Sequence, residues 1–132
     1  MLQLRVKVFK TKTFERWAGK AGVTDGALLN AVAQMERGLI DADLGGNLFK
    51  QRVALPGRGK SGSTRTIVAT RFAGMLFFLY GFEKNERDNI SSKELETFKL
   101  VAGVLLGLDV PALVKVLERG ELKELSHEKT DD

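Results

Sequence analysis

A chain of 132 residues, 43% apolar and with eight Phe, is the size of one ordinary domain and can fill one packed core. It has no Cys, and its one His, His127, lies in a polar tail; disulfides, thiolate or histidine metal sites and a cysteine nucleophile are excluded or improbable chemistry here. The net charge of +4 is modest but segregated, with six Lys/Arg against one Glu in residues 1–20 and eight against Glu83 and Glu86 in residues 50–87.

The stretches 21–49 and 88–132 are acidic, so a basic middle flanked by acid suggests a polyanion-binding surface. Scattered, solvated charge is the plainer alternative. No stretch approaches the ~20 apolar residues of a membrane span, and Met1–Lys12 lacks the apolar run of a signal peptide. A soluble, cytoplasmic protein is expected.

The elements follow in chain order. Leu4 to Phe9 alternates apolar and polar residues as a half-buried strand does. Thr13 is a plausible N-cap for a short helix through Lys20 that presents Phe14, Trp17 and Ala18 on one side. Thr24 can cap a second helix, with Leu28, Leu29, Val32 and Met35 at helical spacing and Gly38 as its stop. Leu48 to Leu55 reads as a strand. Thr64 to Phe72 and Met75 to Phe82 read as two more, with a hairpin signal at Ala73-Gly74. Ser91 or Ser92 can cap a third helix to about Leu106. A short helix spans Val110 to Arg119, starting at Pro111. Glu121 to Leu125 suits an edge strand. The expected architecture is α+β, with helices gathered on one face of a mainly antiparallel sheet. One domain is expected over residues 1–125, and a disordered tail over 126–132.

Three motifs carry possible chemistry. Gly57-Arg58-Gly59-Lys60-Ser61 resembles the end of a phosphate-binding P-loop, but Ala54 stands where that pattern needs glycine and a β-prone run follows where it needs a helix. Nucleotide hydrolysis is therefore rejected; a loop between strands, or one whose amides and Lys60 approach phosphate, remains. Lys50 and Arg52 lie two residues apart on one strand, so they point to the same side, and Arg65 and Arg71 share a side of the next unless a bulge intervenes. Cations on facing strands repel, so their gathering favours an anion site over a merely exposed basic face. Gly81 to Asn89 is a polar strand-to-helix connection from which Lys84 or Arg87 can reach back over the sheet. The aromatics Phe72, Phe77, Phe78, Tyr80 and Phe82 could stack bases, though aromatics on a central strand are more often core.

Read together, Asn47 to Ala54, Gly59 to Thr66 and Tyr80 to Ile90 resemble the RelE toxin family, and within it the HigB-like branch, over about residues 4–125. The resemblance implies the RelE fold: two N-terminal helices packed on a small antiparallel sheet, with C-terminal helices. It also implies a type II toxin that cleaves mRNA on the ribosome, inhibits translation and is neutralised by a co-encoded, helix-turn-helix antitoxin. Lys50 and Arg52 resemble the family's paired basic residues on its central strand, Arg65 the arginine that contacts the scissile phosphate, and Lys84 and Arg87 the cluster closing the last strand. Asn85 replaces a second arginine of that cluster. The tyrosine found soon after it in some members is absent, Ile90 and Ser91 standing there, and so is the histidine of other HigB toxins.

RNA carries its own nucleophile, the 2′-hydroxyl, so the enzyme need only orient it and manage charge and protons, and no metal or cofactor is expected. Arg65 is assigned as transition-state stabiliser, since a guanidinium stays charged and binds phosphoryl oxygens with two prongs. Lys50 and Lys84 are the proton-transfer candidates, because neighbouring cations favour a neutral amine. Arg52, Arg58, Lys60, Arg71 and Arg87 are expected to hold RNA. A ParE-like toxin that inhibits gyrase, or a non-catalytic nucleic-acid-binding regulator, are the alternative readings.

Overall fold

The computed structural model describes residues 4–55 and 64–125. Strand β1 (Val6–Thr11) leads directly into helix α1 (Lys12–Ala21), and helix α2 (Asp25–Glu36) follows. The cap of α1 is Thr11, not Thr13, since the Thr11 hydroxyl accepts from the Phe14 amide at 3.1 Å. Thr24 caps α2 as expected, its hydroxyl accepting from the Ala27 amide at 3.1 Å, and Gly38, at φ 87°, takes the chain out of the helix.

Four strands then run β2 (Ala42–Gly45), β3 (Leu48–Val53), β4 (Thr64–Thr70) and β5 (Gly74–Glu83). The short β2 escaped the sequence reading because Asp41 to Asn47 is acidic and Gly-rich, with no run of β-formers. Helix α3 (Ser92–Leu106), helix α4 (Val110–Glu118) and edge strand β6 (Leu122–Leu125) complete the fold. Ser91 caps α3 in a reciprocal capping box with Glu94, and Asp109 caps α4 with Pro111 in its first turn.

The six strands form one sheet in the order β2-β3-β4-β5-β1-β6. Only β1 and β5 are parallel; the other neighbours are antiparallel. The expected three-stranded antiparallel unit β3-β4-β5 is present, and β1 and β6 extend it on the far side.

The helices do not gather on one face. Phe14, Ala18, Leu28, Val32 and Met35 of α1 and α2 pack with Val6, Val8, Val53, Val68, Leu76 and Phe78 in one cluster. Ala102 and Leu106 of α3 pack with Phe9, Leu48, Ile67, Ala69, Phe77 and Leu79 in a second. Consecutive residues such as Val8 and Phe9, or Ile67 and Val68, thus enter opposite layers. The reason lies in the strands: Ile67 to Ala69 and Leu76 to Leu79 are apolar without alternation and buried throughout, the pattern of a sheet covered on both sides.

Trp17 of α1 settles flat on β5 where the sheet has no side chain. A Cβ on Gly81 would fall 2.1 Å from Trp17 Cζ3, so glycine there is what admits the indole. No single helix among the described residues is long and apolar enough to cross a membrane.

Candidate active site

The register of β3, β4 and β5 builds the site. Arg52 is paired with Arg65, and Arg65 with Phe82, so these three side chains form one row across three strands. One pair further along, Lys50 is matched to Ile67 and Ile67 to Tyr80, a second row on the same face. Lys50, Arg52 and Arg65 therefore share one side of the sheet, the side on which α3 lies.

A β-bulge brings the aromatics there. Ile67 pairs with Tyr80 but Val68 with Phe78, leaving Leu79 as the extra residue of β5. Phe77 and Leu79 face α3 before the bulge, and Tyr80 and Phe82 face it after. Strict alternation would have sent Tyr80 and Phe82 to the α1 side with Phe78. Phe82 is buried and Tyr80 half-buried; Phe77 and Phe78 are wholly core, and Phe72 lies in the turn at φ 58°, its ring against Phe49.

Helix α3 covers the other end of this face. Lys99 lies over Gly46 in the β2–β3 turn, and Arg71 Nη1 donates to the Leu106 carbonyl at 3.2 Å, closing the C-terminus of α3. Arg71 does share a face with Arg65, since β4 has no bulge against β3, but it stands past the opposite end of the strand with a helix-capping role. Arg52 is exposed near the end of β3, and Lys50 is half-buried.

The Arg65 side chain is only 12% exposed, and its Nε lies 3.4 Å from Asp41 Oδ2. Asp41 was not among the residues the sequence singled out; it sits in an acidic stretch with no period to mark it.

The connection from β5 to α3 is organised by Arg87. Its Nη2 and Nη1 donate to the two Glu94 carboxylate oxygens at 2.6 and 3.1 Å, Nη1 also to the Tyr80 hydroxyl at 3.0 Å, and Nε to the Asn89 carbonyl at 2.9 Å. The guanidinium carbon stands 5.8 Å from the Phe82 ring centre and 5.9 Å from that of Tyr80. Hydrogen bonding from Arg87, then from the Ser91 amide, holds the Glu94 carboxyl at about 2, well below its usual 4.5. Arg87 is thus a clamp that fixes Tyr80 and the start of α3, a part the sequence reading did not give it. Lys84 is exposed in the same connection, just after Glu83, which pairs with Thr64, the neighbour of Arg65. Arg58 and Lys60 lie outside the described residues, as do the Gly57–Ser61 loop and the tail from Ser126.

Fold and site define a class: a small α+β domain whose sheet, flanked by helices on both sides, carries a row of basic residues across β3 and β4. A family model, the RelE toxin of the RelE/RelB toxin–antitoxin system, matches residues 6–125. The chain belongs to the RelE toxin family, and that membership makes it a toxin with an antitoxin as partner. No curated protein matches it.

Proposed function

We propose that this toxin is a ribosome-dependent mRNA endonuclease of the HigB-like kind, acting in the cytoplasm, where it stops translation by cutting through the RNA 2′-hydroxyl. The observation that carries the reading is the cross-strand pair Arg52–Arg65 with Lys50 beside it on the same face of the sheet. Packing gives no reason for two guanidiniums to face each other; a phosphodiester between them gives one.

In this reading Arg65, backed by Asp41, meets the charge that builds on the phosphoryl oxygens. Lys50 and Lys84, from the strand and from the β5–α3 connection, handle the protons of the 2′-hydroxyl and the leaving 5′-oxygen. Arg52 holds the backbone of the same strand of RNA, and Arg58 and Lys60 would extend that contact. Tyr80, packed against Phe98 and held by Arg87, fixes the edge of the site.

Primer extension on cellular mRNA after induction of the toxin tests this. Cuts within translated codons, lost when ribosomes are withheld in vitro, are the expected result. Growth arrest with intact mRNA, or inhibition of gyrase in a supercoiling assay, would overturn it.

A further inference from the structure

We infer that Asp41 is a positioning residue for Arg65, and that the buried Gln51 amide is what delivers it. The inference rests on the reading of the basic row as the site of RNA cleavage.

The segment Leu39 to Asp41 links α2 to β2 and belongs to neither. Such a link is ordinarily mobile. Here the Gln51 side chain ties it to the sheet at both ends, and Ile40 packs against the core between them. Gln51 is 3% exposed; its Nε2 donates to the Leu39 carbonyl at 3.0 Å, and its Oε1 accepts from the Asp41 amide at 3.2 Å. Across the strand pair, the buried Thr66 hydroxyl donates to the Gln51 carbonyl at 2.9 Å. A buried amide is costly unless bonded at both ends, and its neighbours on this side, Phe49 and Val53, are apolar. An apolar residue at 51 would pack as well. What the glutamine adds is a fixed position for Asp41.

From there the Asp41 carboxylate reaches the opposite face and stands 3.4 Å from Arg65 Nε. Arg65 directly opposes Arg52, so the Asp41 carboxylate offsets the repulsion between the two guanidiniums and draws Arg65 towards itself. Arginine keeps its charge at every working pH; Asp41 therefore supplies orientation, not ionisation. A preorganised donor acts on the transition state, whereas a wandering one binds substrate nearly as well but stabilises charge less.

The test uses the full chain, released from its antitoxin, with three readouts: ribosome-dependent cleavage, affinity for a single-stranded RNA carrying a 2′-deoxy at the scissile position, and solvent exchange of the Arg65 Nε proton by NMR. Asp41→Asn should lower kcat about 10²-fold while KM and the affinity for the uncleavable RNA stay level or tighten. The Arg65 Nε proton should exchange faster than in wild type. Asp41→Glu should recover part of both. Gln51→Leu should release the same proton. Should the wild type fail to cleave mRNA, the endonuclease reading falls while the Arg65 proton still decides the positioning: protection lost in Asp41→Asn upholds it, protection kept overturns it. Unchanged kcat in Asp41→Asn also overturns it. So does an acid limb in the wild-type pH profile that vanishes in Asp41→Asn, since the carboxylate would then be a proton acceptor.

Discussion

Arg52 and Arg65 face each other as a directly opposed pair on β3 and β4, with Asp41 against Arg65 and Phe82 next in the row. Like charges placed so are destabilising by a few tenths to about 1 kcal/mol, and the Asp41 carboxylate beside Arg65 offsets part of that. In the proposed function a phosphodiester would meet both arms at once.

Loss of Arg65 should therefore act on chemistry rather than on folding. Arg65→Ala is expected to reduce cleavage about 10²–10³-fold, the usual cost of removing a preorganised donor, with an unchanged far-UV spectrum. Arg65→Lys should recover only part of the activity, because an ammonium cannot reproduce the planar fork. Chelation by EDTA, with ribosomes kept intact, should leave wild-type cleavage in place. Full activity in Arg65→Ala would refute the assignment.

Arg52, exposed on β3, should contribute binding more than rate. Arg52→Ala is expected to weaken affinity for single-stranded RNA at low salt and to reduce the slope of log affinity against log salt by about 0.7. A titration series in salt separates this from a local packing effect, which would shift affinity equally at all concentrations.

Gly81 is a packing position that function does not explain. Its added Cβ would fall 2.1 Å from the Trp17 ring on a strand with no slack. Gly81→Ala should cost about 1–3 kcal/mol, the usual penalty of overpacking, read as a lower denaturation midpoint. A smaller residue at Trp17 should restore part of that loss, and the two changes should not add.

Much of this architecture could be read from residue patterns. The caps Thr24 and Ser91, the stop at Gly38 and the period-two spacing of Lys50 and Arg52 are local signals, and each appears where it was expected. What escaped is set by contacts distant in the chain. The bulge at Leu79 reverses the facing of Tyr80 and Phe82, and nothing in the run Met75 to Phe82 marks it. Arg87 reads as one more cation until Glu94 and Tyr80 are seen around it. Asp41 meets Arg65 across the sheet, with its amide bonded to Gln51, 10 residues on. Residues 88–132 are net acidic in sequence, yet Glu94 from that stretch is spent on a cation of the basic one.

That pairing gives the stability a definite pH signature. The Glu94 carboxyl is held at about 2 because Arg87 and the Ser91 amide bond its charged form. A carboxyl whose folded value lies below its unfolded one stabilises the fold above the unfolded value, and that contribution fades as pH falls through the folded one. The window therefore runs from about 4.5 down to about 2. Glu15, also lowered, chiefly by its hydrogen bond to Lys123, adds a decline of the same sign. Glu94→Gln keeps an acceptor for the Ser91 amide but loses the charge. At pH 7 it should be less stable than wild type by about 0.5–1 kcal/mol, because the pair is about a third exposed and screened. On acidification the wild type should lose stability faster, and the two curves should meet near pH 2; the decline owed to Glu15 is common to both. Arg87→Lys should lie as low as Glu94→Gln at pH 7 or lower, since it also gives up the bonds to Asn89 and Tyr80. Parallel curves for wild type and Glu94→Gln across this range would show that the charge on Glu94 does not hold the start of α3.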